Sequence, residues 1–299
     1  MLRRLLDLGV RGLGSAPYNF SGAIATILGR GGYGLYWPER RLALWNLQHC
    51  FPDRTAAWRR QVALRFFEHV VASACEVFHA AENPSDVDAR LCIENGTRLE
   101  EAISSGRGVV AVTGHYGNFA LLPFFLRTTT PDAAYIARAS KRKVGPLVAA
   151  SRRYYRESLK PRAGTHVLSS DLAGALEAAR LLRRGNVVVV FSDLVWGSGA
   201  APVAFLGVRH EVSRAAAALA LRTGAVFLPI FMERTCEGRH RMIVEAPIPP
   251  PEGGCSSRAA EQAMMEQFSA MLERRVLRHP DQWYWLHRSW RPGRGQGLW

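Results

Sequence analysis

Residues 109–123 read VVAVTGHYGNFALLP. Val109, Val110, Ala111 and Val112 form a short apolar run directly after the turn signal Ser105-Gly106-Arg107-Gly108, which predicts a buried strand. Thr113-Gly114 ends the strand, and His115 follows with Gly117 and Asn118 beside it. The apolar stretch from Phe119 to Leu126 opens a helix. Open α/β sheets place their chemistry where a parallel strand ends and a helix begins. An imidazole there titrates near neutrality, so it can take a proton from an alcohol and return it. A histidine in a loop can also merely satisfy a turn. The glycines on either side favour close approach of backbone or ligand.

Outward from this stretch, strands and helices alternate. Upstream, Pro38–His79 reads as helical, broken at Pro52-Asp53, with Thr55 as the N-cap of the second helix. Val62, Phe66, Val70 and Phe78 give that helix an apolar face. Leu91–Glu94 is a short strand and Gly96–Ile103 a short helix feeding the central one. Downstream, Ala133–Ala137 is a strand ending at Arg138, followed by the basic run Lys141-Arg142-Lys143 and a helix over Pro146–Ser158. The basic run is either a solvated face or a phosphate-binding rim. Thr165–Leu168 is a strand, and Asp171 caps a helix through Arg183 that Gly185 ends. Asn186–Phe191, NVVVVF, is a buried strand that delivers Ser192-Asp193. A loop over Trp196–Arg209 carries Phe205-Leu206-Gly207. Then come an alanine-rich helix from Ser213 to Arg222, strands at Ala225–Phe231 and Arg241–Ala246, a linker, and a long helix over Arg258–His279. This order predicts an α/β fold with a mixed, mostly parallel central sheet flanked by helices.

Composition narrows the partners. Lys and Arg number 39 against 25 Asp and Glu in 299 residues, a net charge of +14. Such a balance favours anionic partners such as a membrane surface, a phosphorylated lipid or a phosphate-bearing cofactor. No nucleic-acid-binding signature occurs, so no nucleic acid partner is expected. Cys50, Cys75, Cys92, Cys236 and Cys255 are scattered and lack C-x-x-C spacing, which points to reduced thiols in a cytosolic compartment. No His/Cys/Asp cluster has metal-ligand spacing, so no metal is expected. The N-terminal residues 1–37 divide from a catalytic domain over 38–299. No apolar run there reaches the roughly 18 residues of a spanning helix. It reads as a segment lying on a membrane, with Arg3, Arg4, Arg11 and Arg30 toward headgroups and Tyr18, Tyr33, Tyr36 and Trp37 at the interface. The bland alternative is a helical cap on the core.

Four segments together resemble the bacterial lipid A late acyltransferase family, within the lysophospholipid acyltransferase superfamily. They are Asn46-Leu47 with Cys50-Phe51-Pro52, Thr113–Phe119, Asp193 followed by Phe205-Leu206-Gly207, and His279–Arg288 (HPDQWYWLHR). The resemblance covers roughly Asn46–Arg291. It implies transfer of a fatty acyl chain from an acyl carrier protein or coenzyme A thioester to a hydroxyl of a membrane lipid such as a lipid A precursor. It implies no bound cofactor, and a place on the cytoplasmic face of the inner membrane. His115 becomes the general base, with Gly117, Asn118, Arg138, Asp193, Phe205 and Gly207 as substrate-binding candidates. Arg138 matches a family arginine that contacts phosphate or carrier, or is a solvated strand-end residue. Phe205–Gly207 lines an acyl tunnel or packs the core.

One departure stands out. The family motif places Asp or Glu five residues after the histidine, and this chain has Ala120 there. A carboxylate on the far ring nitrogen selects the tautomer that acts as base and steadies the imidazolium; losing it in a serine-protease triad costs on the order of 10⁴ in turnover. Three accounts stand: an engineered inactivating change, a homologue with lost or altered chemistry, or a carboxylate supplied from elsewhere, with Asp193 the strand-end candidate. A non-catalytic lipid- or carrier-binding homologue is therefore the alternative to an enzyme. A serine hydrolase is weaker, for no G-x-S-x-G elbow is present.

Overall fold

The computed structural model describes residues 12, 14–15, 18, 20–130, 133–137, 166–195, 199–235, 238–252 and 258–290. Arg138, the Lys141-Arg142-Lys143 run and the helix expected over Pro146–Ser158 lie outside these residues.

The all-apolar run at 109–112 becomes β2 (Val109–Thr113), in which every residue is buried. It can be buried on both faces because its neighbours run parallel to it and helices cover both sides. The neighbours are β5 (Val187–Phe191) and β8 (Val226–Arg234). Among the described residues the sheet has seven strands in the order β1-β9-β8-β2-β5-β3-β4, with β1 Leu91–Glu94, β3 Ala134–Ala137, β4 His166–Ser169 and β9 His240–Val244. The five strands from β8 to β4 are mutually parallel. β9 is antiparallel to β8, and β1 is parallel to β9. The expected α/β fold, with its mostly parallel sheet and flanking helices, is the one found.

Alternation along β2 sorts the core into two layers, as the two-residue period of a strand requires. Val110 and Val112 face Leu181, Ala217, Phe268 and Trp283. Val109 and Ala111 face Leu99, Leu122, Phe125 and Phe78. The first layer is roofed by α7 (Leu172–Arg183), α8 (Ala215–Thr223) and α9 (Arg258–Arg278), the second by α5 (Gly96–Ser104) and α6 (Leu122–Thr129). The N-terminal helices α1 (Phe20–Leu35), α2 (Trp37–Cys50) and α3 (Ala56–Glu82) pack at the carboxyl end of β8 and beside the C-terminal segment, and a short α4 (Pro84–Asp88) follows α3. Thr55 caps α3 by accepting from the Trp58 N–H, and Asp171 caps α7 by accepting from the Gly174 N–H. A β-carbon on Gly29 would lie 2.5 Å from Glu68 Cα, so α1 and α3 touch backbone to backbone there. No helix among the described residues is long and apolar enough to cross a membrane.

One segment differs from expectation. Within the loop expected over Trp196–Arg209, of which 196–198 lie outside the described residues, β6 (Ala200–Phe205) and β7 (Val208–Ser213) make an antiparallel hairpin. Leu206 and Gly207 form its two-residue turn at φ 53° and 75°. Positive φ at both positions matches a turn to the twist of a hairpin. Leucine at the first position hides that turn from a reading based on Asn-Gly or Gly pairs; the Leu206 N–H is compensated by Glu273 Oε1 at 2.9 Å.

The C-terminal segment is held by Asn46, which is fully buried and donates from Nδ2 to the carbonyls of Trp285 (2.7 Å) and His287 (2.9 Å). Asn46→Ala would strand both carbonyls. A loss of about 3 kcal/mol is expected, read as a lowered denaturant midpoint with unchanged slope; a change under about 1 kcal/mol would show that the clamp is not what fixes this segment.

Candidate active site

β2 and β5 end side by side, where the Ser192 N–H donates to the Thr113 carbonyl at 2.9 Å. Each strand then releases one functional side chain. His115 leaves β2, and Asp193 leaves β5. They meet: His115 Nδ1 lies 2.7 Å from Asp193 Oδ1, and the His115 backbone N–H donates to Asp193 Oδ2 at 2.7 Å. The Trp283 indole N–H donates to the same Oδ2 at 3.1 Å. The Asp193 side chain is 2% exposed and that of His115 17%, so the acid is sealed and the base is reachable from solvent. Burial alone would push the Asp193 carboxyl up, but the His115 ring, its amide and the Trp283 N–H outweigh it and hold the carboxyl below its ordinary range. Asp193 is therefore a carboxylate, and it fixes the proton of His115 on Nδ1.

Aromatic rings frame the imidazole. Phe119 meets it edge-on at 4.8 Å, Phe191 is tilted at 5.0 Å and Tyr284 at 6.0 Å. The His115 carbonyl accepts the Tyr284 N–H at 3.0 Å, so both the amide and the carbonyl of His115 are engaged.

The loop after His115 is locked in place. Tyr116 bridges to Trp283, and its hydroxyl donates to Glu233 Oε2 at 2.9 Å. Glu233 is in turn paired with Arg241. The Gly117 N–H donates to the Gln282 carbonyl at 2.8 Å. Gly117 has φ +60°, and a β-carbon there would lie 1.7 Å from the Met232 carbonyl oxygen, so no other residue fits. Asn118 is buried and donates to Glu76 Oε2 (2.7 Å) and the Ser73 carbonyl (3.2 Å).

Glu76 anchors a second buried network that sequence reading missed. Arg234 at the end of β8 grips both its carboxylate oxygens, and His240 Nε2 lies 3.2 Å from Oε2. Arg234 also donates from Nε to His69 Nδ1 at 3.3 Å, which puts the His69 proton on Nε2, 3.1 Å from the Gly117 carbonyl. Burial, then Arg234, lowers His69 to about 3, so it stays neutral. Burial pushes the Glu76 carboxyl up, but Arg234 and His240 offset this and hold it at about 2. His69 stands on an apolar helix face, where its role as a loop support has no local signature. This network lines a cavity of about 710 Å³, with Tyr18, Arg65, Glu68, Asp281 and Gln282 also among its walls.

The remaining expected site residues are dispersed. Ala120 sits in a 3₁₀ turn (Phe119–Leu121), half-buried, against the layer that holds Leu121 and Phe125. Phe205 is fully buried, its ring 5.1 Å from Trp283 and 5.5 Å from His210, while Gly207 lies at the exposed hairpin tip. Gly117 and Asn118 adjoin His115, but the Gly117 backbone groups go to Gln282 and His69 and the Asn118 side-chain N–H groups to Glu76 and Ser73. Arg138 is not among the described residues. His210, unremarked in the sequence, donates from Nε2 to the Asp193 carbonyl at 2.7 Å, and burial lowers its proton affinity. Among the described residues no cluster of three His, Cys, Asp or Glu could hold a metal.

Residues 8–292 match the family described as bacterial lipid A biosynthesis acyltransferase, and the chain belongs to that family. No curated protein matches it.

Acid should undo the loop support in two stages. His69 is depressed from 6.5 to about 3, so the unfolded chain binds its proton first and stability falls as pH drops below 6.5. Glu76 is depressed from 4.5 to about 2, so its contribution, complete above 4.5, is lost as pH falls from there toward 2. Chemical denaturation across pH 7 to 3 should show both. Glu76→Gln should cost about 3–5 kcal/mol at pH 7 by leaving Arg234 without its counter-charge, and it should flatten the slope below 4.5.

Proposed function

We propose that this acyltransferase moves a fatty acyl chain from an acyl carrier protein or coenzyme A thioester to a hydroxyl of a lipid A precursor or similar membrane glycolipid. The observation that supports it is the 2.7 Å contact of His115 Nδ1 with a sealed carboxylate, Asp193. The acid comes from the neighbouring strand end instead of position 120, so Ala120 does not leave the base without a partner.

With its proton fixed on Nδ1, the imidazole presents Nε2 as the base. Nε2 takes the proton of the acceptor hydroxyl as the oxygen attacks the thioester carbonyl. Asp193 stabilises the imidazolium that forms and keeps the ring oriented. The tetrahedral intermediate collapses, the C–S bond breaks, and the thiolate leaves with the proton returned from Nε2. Atoms balance to an ester and a free thiol.

The enzyme would work at a membrane surface. Along α1 and the start of α2, Ile27, Leu28, Leu35, Tyr36 and Trp37 are exposed by 52 to 81%. Arg30 stands among them, and Arg41 lies over the Trp37 ring. An apolar ridge flanked by arginines suits an anionic bilayer surface. On this reading residues 1–37 are the membrane-associating segment and 38–299 the acyltransferase domain.

Purified protein with a thioester donor and lipid acceptor should form ester. His115→Ala and Asp193→Asn should each lower kcat by roughly 10³–10⁴, whereas Ala120→Glu should stay within about tenfold of the parent, one power of ten being 1.36 kcal/mol of barrier. Transfer that appears only with Ala120→Glu would instead mark a disabled enzyme. No transfer from either, with acyl-lipid binding retained, would mark a binding protein. Separately, Ile27→Glu with Leu35→Glu should weaken sedimentation with anionic vesicles at least tenfold without lowering the melting temperature by more than a few degrees.

A further inference from the structure

Asp193 has three donors on its carboxylate, and only two come from His115. The third is the Trp283 indole, whose side chain is fully buried. Trp283 is held from several sides. Its backbone bridges to Tyr116, one residue after the histidine. Its ring packs on Trp285 at 4.8 Å, Phe205 at 5.1 Å and His287 at 4.8 Å. On the main chain beside it, His210 donates to the Asp193 carbonyl at 2.7 Å. An indole N–H is a donor only, with no alternative partner for its proton. It therefore points one fixed N–H at the oxygen that the His115 backbone amide also uses.

We propose that Trp283 is a positioning residue that acts through Asp193 on His115: its indole N–H fixes the carboxylate orientation and draws charge away from the oxygen facing the imidazole. This rests on the His115–Asp193 reading above. Without the N–H, Oδ2 would keep only the backbone amide, and more of the carboxylate's charge would fall on His115. The imidazolium would then hold its proton more tightly, and the carboxylate would have one fewer restraint on its rotation.

The test uses the full-length protein, with Trp283 changed to Phe and, in a second variant, replaced by 3-(3-benzothienyl)alanine. The latter keeps the bicyclic shape and puts sulfur where the N–H was, so it remains informative if the Phe variant folds poorly. Trp285→Phe is the comparison: Trp285 is equally buried, but its indole donates to the Pro280 carbonyl at 2.6 Å. The readouts are the His115 titration followed by ring-nitrogen NMR, and the acid limb of kcat/KM with a lauroyl thioester donor and a lipid A precursor. Both Trp283 variants should move the His115 titration and the acid limb up by about one pH unit, the size of a lost charge-assisted hydrogen bond. They should lower kcat several-fold with KM unchanged, while Trp285→Phe lowers stability and leaves the titration in place. A titration unmoved in the benzothienyl variant, or moved equally by Trp285→Phe, would overturn the proposal. If His115→Ala or Asp193→Asn kept full transfer, the catalytic reading would fall, and the NMR titration would still decide whether Trp283 acts on the pair.

Discussion

One buried carboxylate holds the functional end of this molecule together. Asp193 receives N–H groups from His115, 78 residues earlier, and from Trp283, 90 residues later. It thereby joins the carboxyl ends of β2 and β5 to the C-terminal segment. A carboxylate sealed this deeply is stable only if each oxygen is satisfied. Here Oδ1 takes the imidazole, and Oδ2 takes the His115 amide and the indole. The chemistry and the tertiary structure thus make the same demand: whatever keeps Asp193 ionised also aims His115.

The loop between β2 and α6 is built to transmit that order. Gly117 approaches β8 so closely that only hydrogen fits on its α-carbon, and its amide and carbonyl are claimed by Gln282 and His69. Asn118 reaches the second buried carboxylate, Glu76, which Arg234 neutralises. Buried ion pairs are weak sources of net stability, because desolvation offsets most of the Coulomb gain. Their use here is geometric. Arg234 determines which nitrogen of His69 carries the proton, and that proton meets the Gly117 carbonyl, two residues after His115. The two carboxylates hold the loop at two points, Asp193 at His115 and Glu76 at Asn118.

The strand-turn-helix at 109–126 was plain in sequence because an all-apolar run, a glycine turn and an apolar helix each have a local cause. The strand NVVVVF was legible for the same reason, and with it the arrival of Asp193 at a strand end. The Leu206–Gly207 hairpin was not, since leucine at positive φ is held by a tertiary bond from Glu273. The roles of Glu76, Arg234, His210 and Trp283 are hidden too, and for His69 only a structural or partner contact is legible, not which partner it meets. Each depends on partners far away in the chain, and a histidine or glutamate on a helix face looks the same whether it meets solvent or a buried guanidinium. Asn46 shows the middle case: the segment carrying it was distinctive, but its meaning, a clamp on the carbonyls of Trp285 and His287, needs the fold.

Position 120 is best understood through the imidazole's two nitrogens. A ring has one Nδ1, and here Asp193 occupies it from a rigid strand end, with its own oxygens fixed by two further donors. A carboxylate added at 120 would be a second negative charge near one base. Like charges in a dry site raise each other's proton affinity, so one of the pair would tend toward the neutral form. Orientation of the base therefore does not require a residue five positions along. What an acid at 120 would change is the net charge of the loop after His115. Alanine there adds no charge beside the His115–Asp193 pair, in a chain of net charge +14.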